Sequence, residues 1–171
     1  ISVRDIHVLV EHEEPLLELA PHPIDDAAER IGRYIASLIE DGSTIQAGID
    51  ALPNAALRLV KDRRDLGVHT EMMSDWVVDL IEAGAITNRQ KSIHKGKALT
   101  SFAMGSRRLY DFIDDNPFFE FLPSEFVNDP FVIARNDRMV SVNSALQVDL
   151  TGQVCADSIG TRFYSGIGGQ V

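Results

Sequence analysis

The chain has 171 residues, with 16 basic and 26 acidic side chains and a formal net charge of −10. This excess of negative charge disfavours sequence-independent binding to nucleic acid or to an anionic membrane. Hydrophobic residues make up 44% and charged residues 25%, which is typical of a globular domain, and no apolar run approaches the roughly 18 residues of a membrane span.

The first segment combines a strand pattern with a connector pattern. An apolar run predicts a strand over residues 5–10, and the acidic stretch that follows holds three prolines and is typical of a connector. We therefore expect residues 1–23 to form an N-terminal strand and an interdomain connector, and residues 24–171 to form the main domain.

A helix is predicted next, over residues 24–39. Seven apolar residues recur there at helical spacing, Asp25 and Asp26 lie in the first turn, and Gly42 follows the end. This is the segment with the strongest helical pattern in the chain.

Units of a short apolar strand, a loop and a helix-start signal then recur. The first unit has a strand at 43–46, a loop at 47–52 and a helix that starts at Pro53. The second has a strand at 66–69, a loop at 70–74 and a helix that starts at Ser74 or Asp75. The third has a strand at 98–102, a loop at 103–105 and a helix that starts at Ser106. Gly84 is expected to end the second of these helices. A weaker fourth unit has a strand at 118–122 and a short helix starting at 128–130, and the tail has strands at 139–143 and 146–150 before a glycine-rich end at 157–171.

Strands that alternate with helices indicate an α/β fold with a mostly parallel open sheet and flanking helices. In such sheets the loops at the carboxyl ends of the strands line the ligand crevice. Candidate chemistry is therefore expected in loops 46–53, 70–74, 103–106 and 127–130.

Glu71 falls in one of these predicted loops, directly before a predicted helix. Unpaired amides and the helix dipole would favour an anion there, and an ionised carboxylate in a crevice can act as a nucleophile. A solvated loop glutamate or a helix-capping acid explains the same pattern. His69 could share a face with Glu71 if the strand continues, but a third metal ligand is missing, and packing is the alternative for His69.

Other reactive patterns are weak. No metal-binding or serine-nucleophile motif is present, and the single cysteine, Cys155, excludes an internal disulfide and suits a reducing, cytoplasmic compartment. The glycine run that holds Gly166, Gly168 and Gly169 offers amides for a thioester, an oxyanion or a phosphate, or forms only a turn. Trp76 and the phenylalanines at 118–121 are interpreted as core residues.

Four stretches, 42–49, 67–72, 100–106 and 140–170, resemble the acetyl-CoA hydrolase/transferase family in order and spacing. The resemblance implies the second domain of a CoA-transferase, incomplete at its C-terminal end. It also implies covalent catalysis, in which CoA is transferred between an acyl-CoA and a small carboxylic acid of the acetate or 4-hydroxybutyrate type. In this reaction CoA is a substrate, and no metal is implied.

By the same resemblance, Glu71 matches the catalytic glutamate, which forms a glutamyl-CoA thioester. Asn128 would donate to an oxyanion, and the amides of Gly168 and Gly169 would line a second oxyanion or thioester position. The remaining implied CoA-binding residues are Gln46, Gly48 and Gly166. An acyl-CoA hydrolase with the same nucleophile, and a non-catalytic fragment, remain alternatives.

The chain departs from the family pattern at Trp76 and Asp50, where the family usually has glycine, so substrate choice is the property most affected. Members of the family also have a preceding domain and a longer C-terminal part. The chain is therefore expected to be an internal piece with an exposed interdomain face, through which it would associate or form a homo-oligomer.

Overall fold

A five-stranded parallel sheet forms the centre of the computed structural model, which describes Arg4 and residues 6–20, 23–48 and 51–166. Its strands are β1 Thr44–Ala47, β2 Gly67–Met73, β3 Ala98–Ala103, β4 Phe119–Phe121 and β5 Met139–Val142. The spatial order is β4-β3-β2-β1-β5, and every neighbouring pair is parallel. The predicted α/β class with a mostly parallel open sheet is confirmed.

Helices cover both faces of this sheet. They are α1 Asp26–Leu38, α2 Ala51–Leu57, α3 Trp76–Glu82, α4 Arg107–Ile113, α5 Ser124–Val127 and α6 Pro130–Ile133. The crossovers from β1 to β4 run in one direction across the sheet, so α2, α3 and α4 lie on the same face, where their apolar side chains join the main core. The return from β4 to β5 passes through α5 and α6, and α5 packs on β2 and β3.

Helix α1 matches the predicted segment and is capped as its sequence suggests. The Asp25 carboxylate accepts a hydrogen bond from the Ala28 amide at 2.7 Å. The helix packs closely on α2, because a Cβ at Gly32 would lie 2.9 Å from the Ala55 carbonyl carbon. Three apolar side chains of α1 nevertheless face solvent: Ile31, Tyr34 and Leu38.

The predicted strand at 5–10 is wrong for the part that the structure describes. Residues 6–10 have no strand neighbour and are exposed, and a strand without pairing partners is not stable in water. Further along, residues 17–19 are attached to the rest of the fold, since the Tyr110 hydroxyl donates to the Leu17 carbonyl at 2.7 Å and the Leu19 amide donates to the Gly105 carbonyl at 3.0 Å.

Strand β2 extends four residues beyond its predicted end, so most of the predicted loop at 70–74 is strand instead. Pairing with β3 continues through Met72 opposite Phe102 and Met73 opposite Ala103. The polar residues Thr70 and Glu71 suggested a loop, but Thr70 is buried and Glu71 is partly buried, because β2 is a strand covered on both faces. Gly84, with φ of 76°, follows α3 at the expected stop.

The tail forms two small antiparallel hairpins. They consist of β6 Gln147–Val148 with β7 Val154–Cys155, and β8 Ser158–Ile159 with β9 Arg162–Phe163. The predicted strand at 146–150 is thus shorter than expected, because Asp149 accepts hydrogen bonds from the Thr151 and Gln153 amides and turns the chain. Within the described ranges, no helix is long and apolar enough to cross a membrane.

Lys91 is a charged residue in the interior, only 1% exposed. Its Nζ donates to the Val68 carbonyl at 2.7 Å and to the Lys97 carbonyl at 2.8 Å. Burial lowers the pKa of this amine from 10.5 to about 8, and the charge of Glu120 opposes the shift.

We predict that Lys91 makes the chain more stable as the pH rises from 8 to 10.5. In that window the unfolded chain keeps the lysine proton and the folded chain loses it, so the free energy of unfolding should rise by up to about 3 kcal/mol. Urea unfolding at several pH values should show this rise in the wild type and in the exposed-site control Lys95→Met. The rise should be absent in Lys91→Met, and an equal rise in that variant would contradict the assignment.

Candidate active site

Glu71 lies on strand β2, in the part of the sheet near its carboxyl edge, and is partly buried. The pairs Thr70–Thr100 and Met72–Phe102 place Glu71 opposite Ser101 of β3. The Thr100 hydroxyl donates to the Glu71 carbonyl at 3.0 Å, which holds the backbone at this position. Because side chains alternate along a strand, Glu71 shares the sheet face of His69, which α5 covers.

The expected helix-terminus environment of Glu71 is wrong. Helix α3 begins at Trp76, five residues later, and Asp75 at its N-cap position makes no capping hydrogen bond. The Asp75 carboxylate instead accepts hydrogen bonds from the Ser106 amide at 2.9 Å and from the Ser106 hydroxyl at 2.5 Å. The setting of Glu71 is therefore the face of the sheet, where pairing of β2 with β3 on either side of this residue holds its backbone.

Ser101 supplies a hydroxyl opposite Glu71. Its Oγ is buried and has no hydrogen-bond partner among the residues that the structure describes. A buried hydroxyl without a partner is costly, since it has lost its hydrogen bonds to water. This oxygen is thus a candidate donor to a group that binds beside Glu71.

Asn128 follows α5 directly and ends it. Its amide donates to the Ser124 carbonyl at 2.9 Å, and its φ of −95° and ψ of 4° lie in the sparsely populated bridge region, where many active-site residues are found. The side chain is partly buried and makes no hydrogen bond to the described part of the chain. The side-chain amide of Asn128 can therefore donate to a group that enters from outside.

His69 connects this loop to strand β2. Its Nε2 lies 2.9 Å from the carbonyl oxygen of Val127, the residue before Asn128, and its Nδ1 lies 3.2 Å from Nδ2 of Asn136. Burial lowers the pKa of the His69 ring below its usual 6.5, and the Val127 hydrogen bond opposes this shift only in part. These partners are 58 and 67 residues away along the chain, so no local pattern points to them.

Gln46 and Gly48 lie at the end of β1, next to β5. The Gln46 side chain is buried, and its Oε1 accepts from the Ser141 hydroxyl at 2.5 Å and from Nδ2 of Asn143 at 2.7 Å. The Gly48 amide donates to the Val142 carbonyl at 2.9 Å, and a Cβ at Gly48 would lie 3.1 Å from Oδ1 of Asn143. Gln46 thus fixes the chain that leaves β5, a connection that the motif alone did not reveal.

The glycine motif is only partly described. Gly166 is exposed, with open space where a Cβ would stand, whereas Gly168, Gly169 and the departure at Asp50 lie outside the described residues. Cys155 is free and partly buried. In the described ranges, no group of three or more histidine, cysteine or acidic side chains could hold a metal ion.

A cavity of about 370 Å³ lies on the opposite side of the sheet from Glu71. Met72 lines it, and neighbouring strand residues point to opposite faces. Trp76 also lines this cavity and is buried in the main core, as expected. The tryptophan therefore packs on the side of the sheet opposite Glu71.

Comparison with known proteins identifies relatives over the whole chain. Residues 105–171 match the model of the acetyl-CoA hydrolase/transferase C-terminal domain. The chain is 51% identical over all 171 residues to the 4-hydroxybutyrate coenzyme A transferase of Clostridium kluyveri, of which it covers 40%. It is 45% identical over 172 aligned positions to the succinyl-CoA:acetate/propanoyl-CoA:succinate CoA transferase of Fasciola hepatica, covering all of the chain and 36% of that relative.

The fold of a solved relative is also similar. The structure of a 4-hydroxybutyrate CoA-transferase from Porphyromonas gingivalis matches 85% of the chain with a TM-score of 0.81 and 46% identity, and the match covers 37% of that protein's chain. The chain thus spans about two fifths of the length of the relatives it matches, 40% in the first case.

Proposed function

Since the chain belongs to the acetyl-CoA hydrolase/transferase family, as its motifs suggested, we propose that the full-length protein moves CoA between an acyl-CoA and a small carboxylic acid. The observation that carries this proposal is the placement of Glu71 on a fixed strand, with the loop of Asn128 tied to the same strand through His69. A nucleophile and an oxyanion donor held on one rigid support are what acyl transfer requires.

In the proposed mechanism, a Glu71 carboxylate oxygen attacks the thioester carbonyl carbon of the acyl-CoA. The carbon–sulfur bond breaks, CoA leaves as a thiolate, and a mixed anhydride forms between Glu71 and the acyl group. The thiolate then attacks the Glu71 carbonyl carbon, which releases the first carboxylate and leaves a glutamyl-CoA thioester. An incoming carboxylate reverses these steps, takes the CoA and restores Glu71, with no net change in protons.

The neighbouring residues have separate proposed roles. The Asn128 amide would donate to the oxyanion that forms during attack, and Ser101 is a further donor opposite Glu71. The Gly168 and Gly169 amides would serve the second oxyanion or thioester position, and Gly166, Gln46 and Gly48 would shape the loops that bind CoA. Because the net charge of −10 on this chain repels a polyanion, CoA binding would depend on such local donors and on residues of the full-length protein outside this chain.

The choice of substrate is proposed from the relatives. Their names include 4-hydroxybutyrate, succinyl, acetate and propanoyl groups, which supports a small aliphatic carboxylate as acceptor. An acyl-CoA hydrolase, in which water resolves the same intermediate, is the alternative activity. Rates of CoA release with acetate and with water alone separate the two, and transfer predicts a strong dependence on acetate.

Borohydride trapping tests the covalent intermediate. Full-length protein incubated with an acyl-CoA should accumulate the glutamyl-CoA thioester, which borohydride reduces to a primary alcohol on the Glu71 side chain. Peptide mass spectrometry should find this change at Glu71 and not at Glu120, a carboxylate of strand β4 in the same sheet. Turnover without modification of Glu71 would exclude the proposed nucleophile.

Assembly with the rest of the protein is part of this proposal. The apolar residues Ile31, Tyr34 and Leu38 of α1 are exposed, and further exposed apolar side chains lie in the tail hairpins. We expect residues 1–23 to connect two domains, these surfaces to be covered or to mediate oligomer contacts, and the crevice to be complete only in the full-length protein. The isolated chain is then a fragment without full activity, and the free Cys155 suits the proposed cytoplasmic location.

A further inference from the structure

The hydrogen bonds of His69 define one form of its ring. The Val127 carbonyl oxygen can only accept, so Nε2 of His69 must carry the proton and donate to it. Nδ2 of Asn136 donates both to Nδ1 of His69 and, at 3.3 Å, to the Ile133 carbonyl, so Nδ1 is an acceptor. The ring is therefore neutral, with both nitrogens occupied and the side chain 1% exposed.

These two hydrogen bonds hold the segments on both sides of Asn128. Val127 ends α5 just before Asn128, and Asn136 follows the end of α6 and bonds to it. Each of these helices has only four residues and cannot be stable by itself, so contacts with the sheet must fix its position. Among those contacts, His69 provides a directed hydrogen bond from β2 to the backbone next to Asn128.

The same strand carries Glu71 two residues further on, a distance of about 7 Å along an extended chain. A shift of the Val127 carbonyl relative to β2 would move Asn128 relative to Glu71 by a similar amount. Pairing with β3 holds β2 at His69, Thr70 and Met72, so the His69 hydrogen bond links the Val127 backbone to a fixed support next to Glu71.

We propose that His69 is a positioning residue, which holds Asn128 at the distance from Glu71 that acyl transfer requires. It acts through the Val127 backbone and does not touch the reacting atoms. This inference rests on the proposed function, since it assumes that Asn128 stabilises the oxyanion and that Glu71 is the nucleophile.

Two substitutions in the full-length protein distinguish a positioning role of His69 from a role that requires only a polar side chain at this position. In His69→Gln, Nε2 of the amide can still reach the Val127 carbonyl, whereas the shorter side chain of His69→Asn cannot. We expect His69→Asn to lower kcat by about 10- to 100-fold with an almost unchanged KM for the acyl-CoA, and His69→Gln to remain within about fivefold of wild type. Should His69→Asn not fold, His69→Phe, which keeps the ring without its nitrogens, takes its place.

A double-mutant cycle with Asn128→Ala supplies the decisive readout. If His69 acts through Asn128, the double variant with His69→Asn and Asn128→Ala should be hardly slower than Asn128→Ala alone. Losses that multiply would overturn the positioning role while leaving the oxyanion role of Asn128 intact. A wild-type kcat in Asn128→Ala would instead refute the oxyanion role, and the positioning inference would fall with it.

The matched control is Asn88→Ala. Oδ1 of Asn88 accepts from the amide of Val68, the residue before His69, at 2.8 Å, so this variant also loses a buried hydrogen bond to the same strand. We expect Asn88→Ala to lower the melting temperature and leave kcat within about twofold of wild type. A fall in kcat equal to that of His69→Asn would show that loss of stability alone explains the effect, and the proposal would be wrong.

Discussion

Replacement of Glu71 by alanine in the full-length protein is expected to lower kcat for CoA transfer by at least about 10⁴-fold, because the variant has no carboxylate to form the anhydride and the thioester. Glu71→Gln should be equally inactive, since an amide of the same shape is a poor nucleophile. Glu71→Asp keeps the carboxylate but moves it by one methylene, and we expect a loss of about 100-fold. Steady-state rates with an acyl-CoA and acetate give this order.

The control for this series is Glu120→Gln. Glu120 is a partly buried carboxylate of the same sheet, and it accepts a hydrogen bond from His94, an interaction that glutamine can retain. We expect this variant to keep kcat within about threefold of wild type. Transfer activity that survives Glu71→Ala, or an equal loss in Glu120→Gln, would show that Glu71 is not the nucleophile.

Local patterns were sufficient to predict most of the central fold. The helical spacing before Ile39 and the cap at Asp25 define α1, and the apolar runs of β1, β3 and β5 stand between recognisable turns. Such signals are local, because a helix needs one apolar stripe and a buried parallel strand needs a short apolar run. The structure reproduces these elements with shifts of one or two residues at their ends.

The errors arose where pairing partners decide the conformation. The apolar run at 6–10 resembles a strand but has no strand to pair with in the described part of the chain, whereas the predicted loop at 70–74 begins with the polar residues Thr70 and Glu71 and yet pairs with β3 as far as Met73. Helix α5 has four residues, too few for a periodic pattern, and it was missed. In each case the missing information was a contact with a distant part of the chain.

In the candidate site, too, local patterns identified some residues and contacts between distant parts of the chain were missed. Glu71 and Asn128 were named from motifs, and both lie where the sheet can support them, although the expected helix-terminus setting of Glu71 was wrong. The hydrogen-bond partners of Gln46 and His69 were not predicted, because Gln46 bonds to Asn143 and His69 bonds to Val127 only in the folded chain. A buried polar residue in an apolar strand, such as His69, was the one available signal, and it indicates a hydrogen-bond partner without identifying it.

The second large effect is expected at Asn128. Asn128→Ala removes the side-chain amide that would donate to the oxyanion, and loss of one such donor lowers kcat by about 100- to 1,000-fold. The KM for the acyl-CoA should change little, because the charge on the oxygen develops only in the transition state. Single-turnover measurements of CoA release, which isolate the first acyl transfer, are the appropriate assay.

Asn116 provides the matched asparagine control for this variant. Its Nδ2 donates to the Phe112 carbonyl at 3.0 Å and its Oδ1 accepts from the Phe118 amide at 3.0 Å, at the amino end of β4. Asn116→Ala should therefore lower stability without lowering kcat. Equal kinetic losses in the two alanine variants would contradict a donor role for Asn128.

Asn128→Asp distinguishes an oxyanion donor from a residue that only shapes the loop. Aspartate has the same size, but its carboxylate cannot donate when ionised and would repel the developing negative charge. A donor role therefore predicts that Asn128→Asp is slower than Asn128→Ala, although it preserves the shape better. If shape alone mattered, the order would be reversed, so the relative rates of these two variants decide whether the amide acts on the transition state.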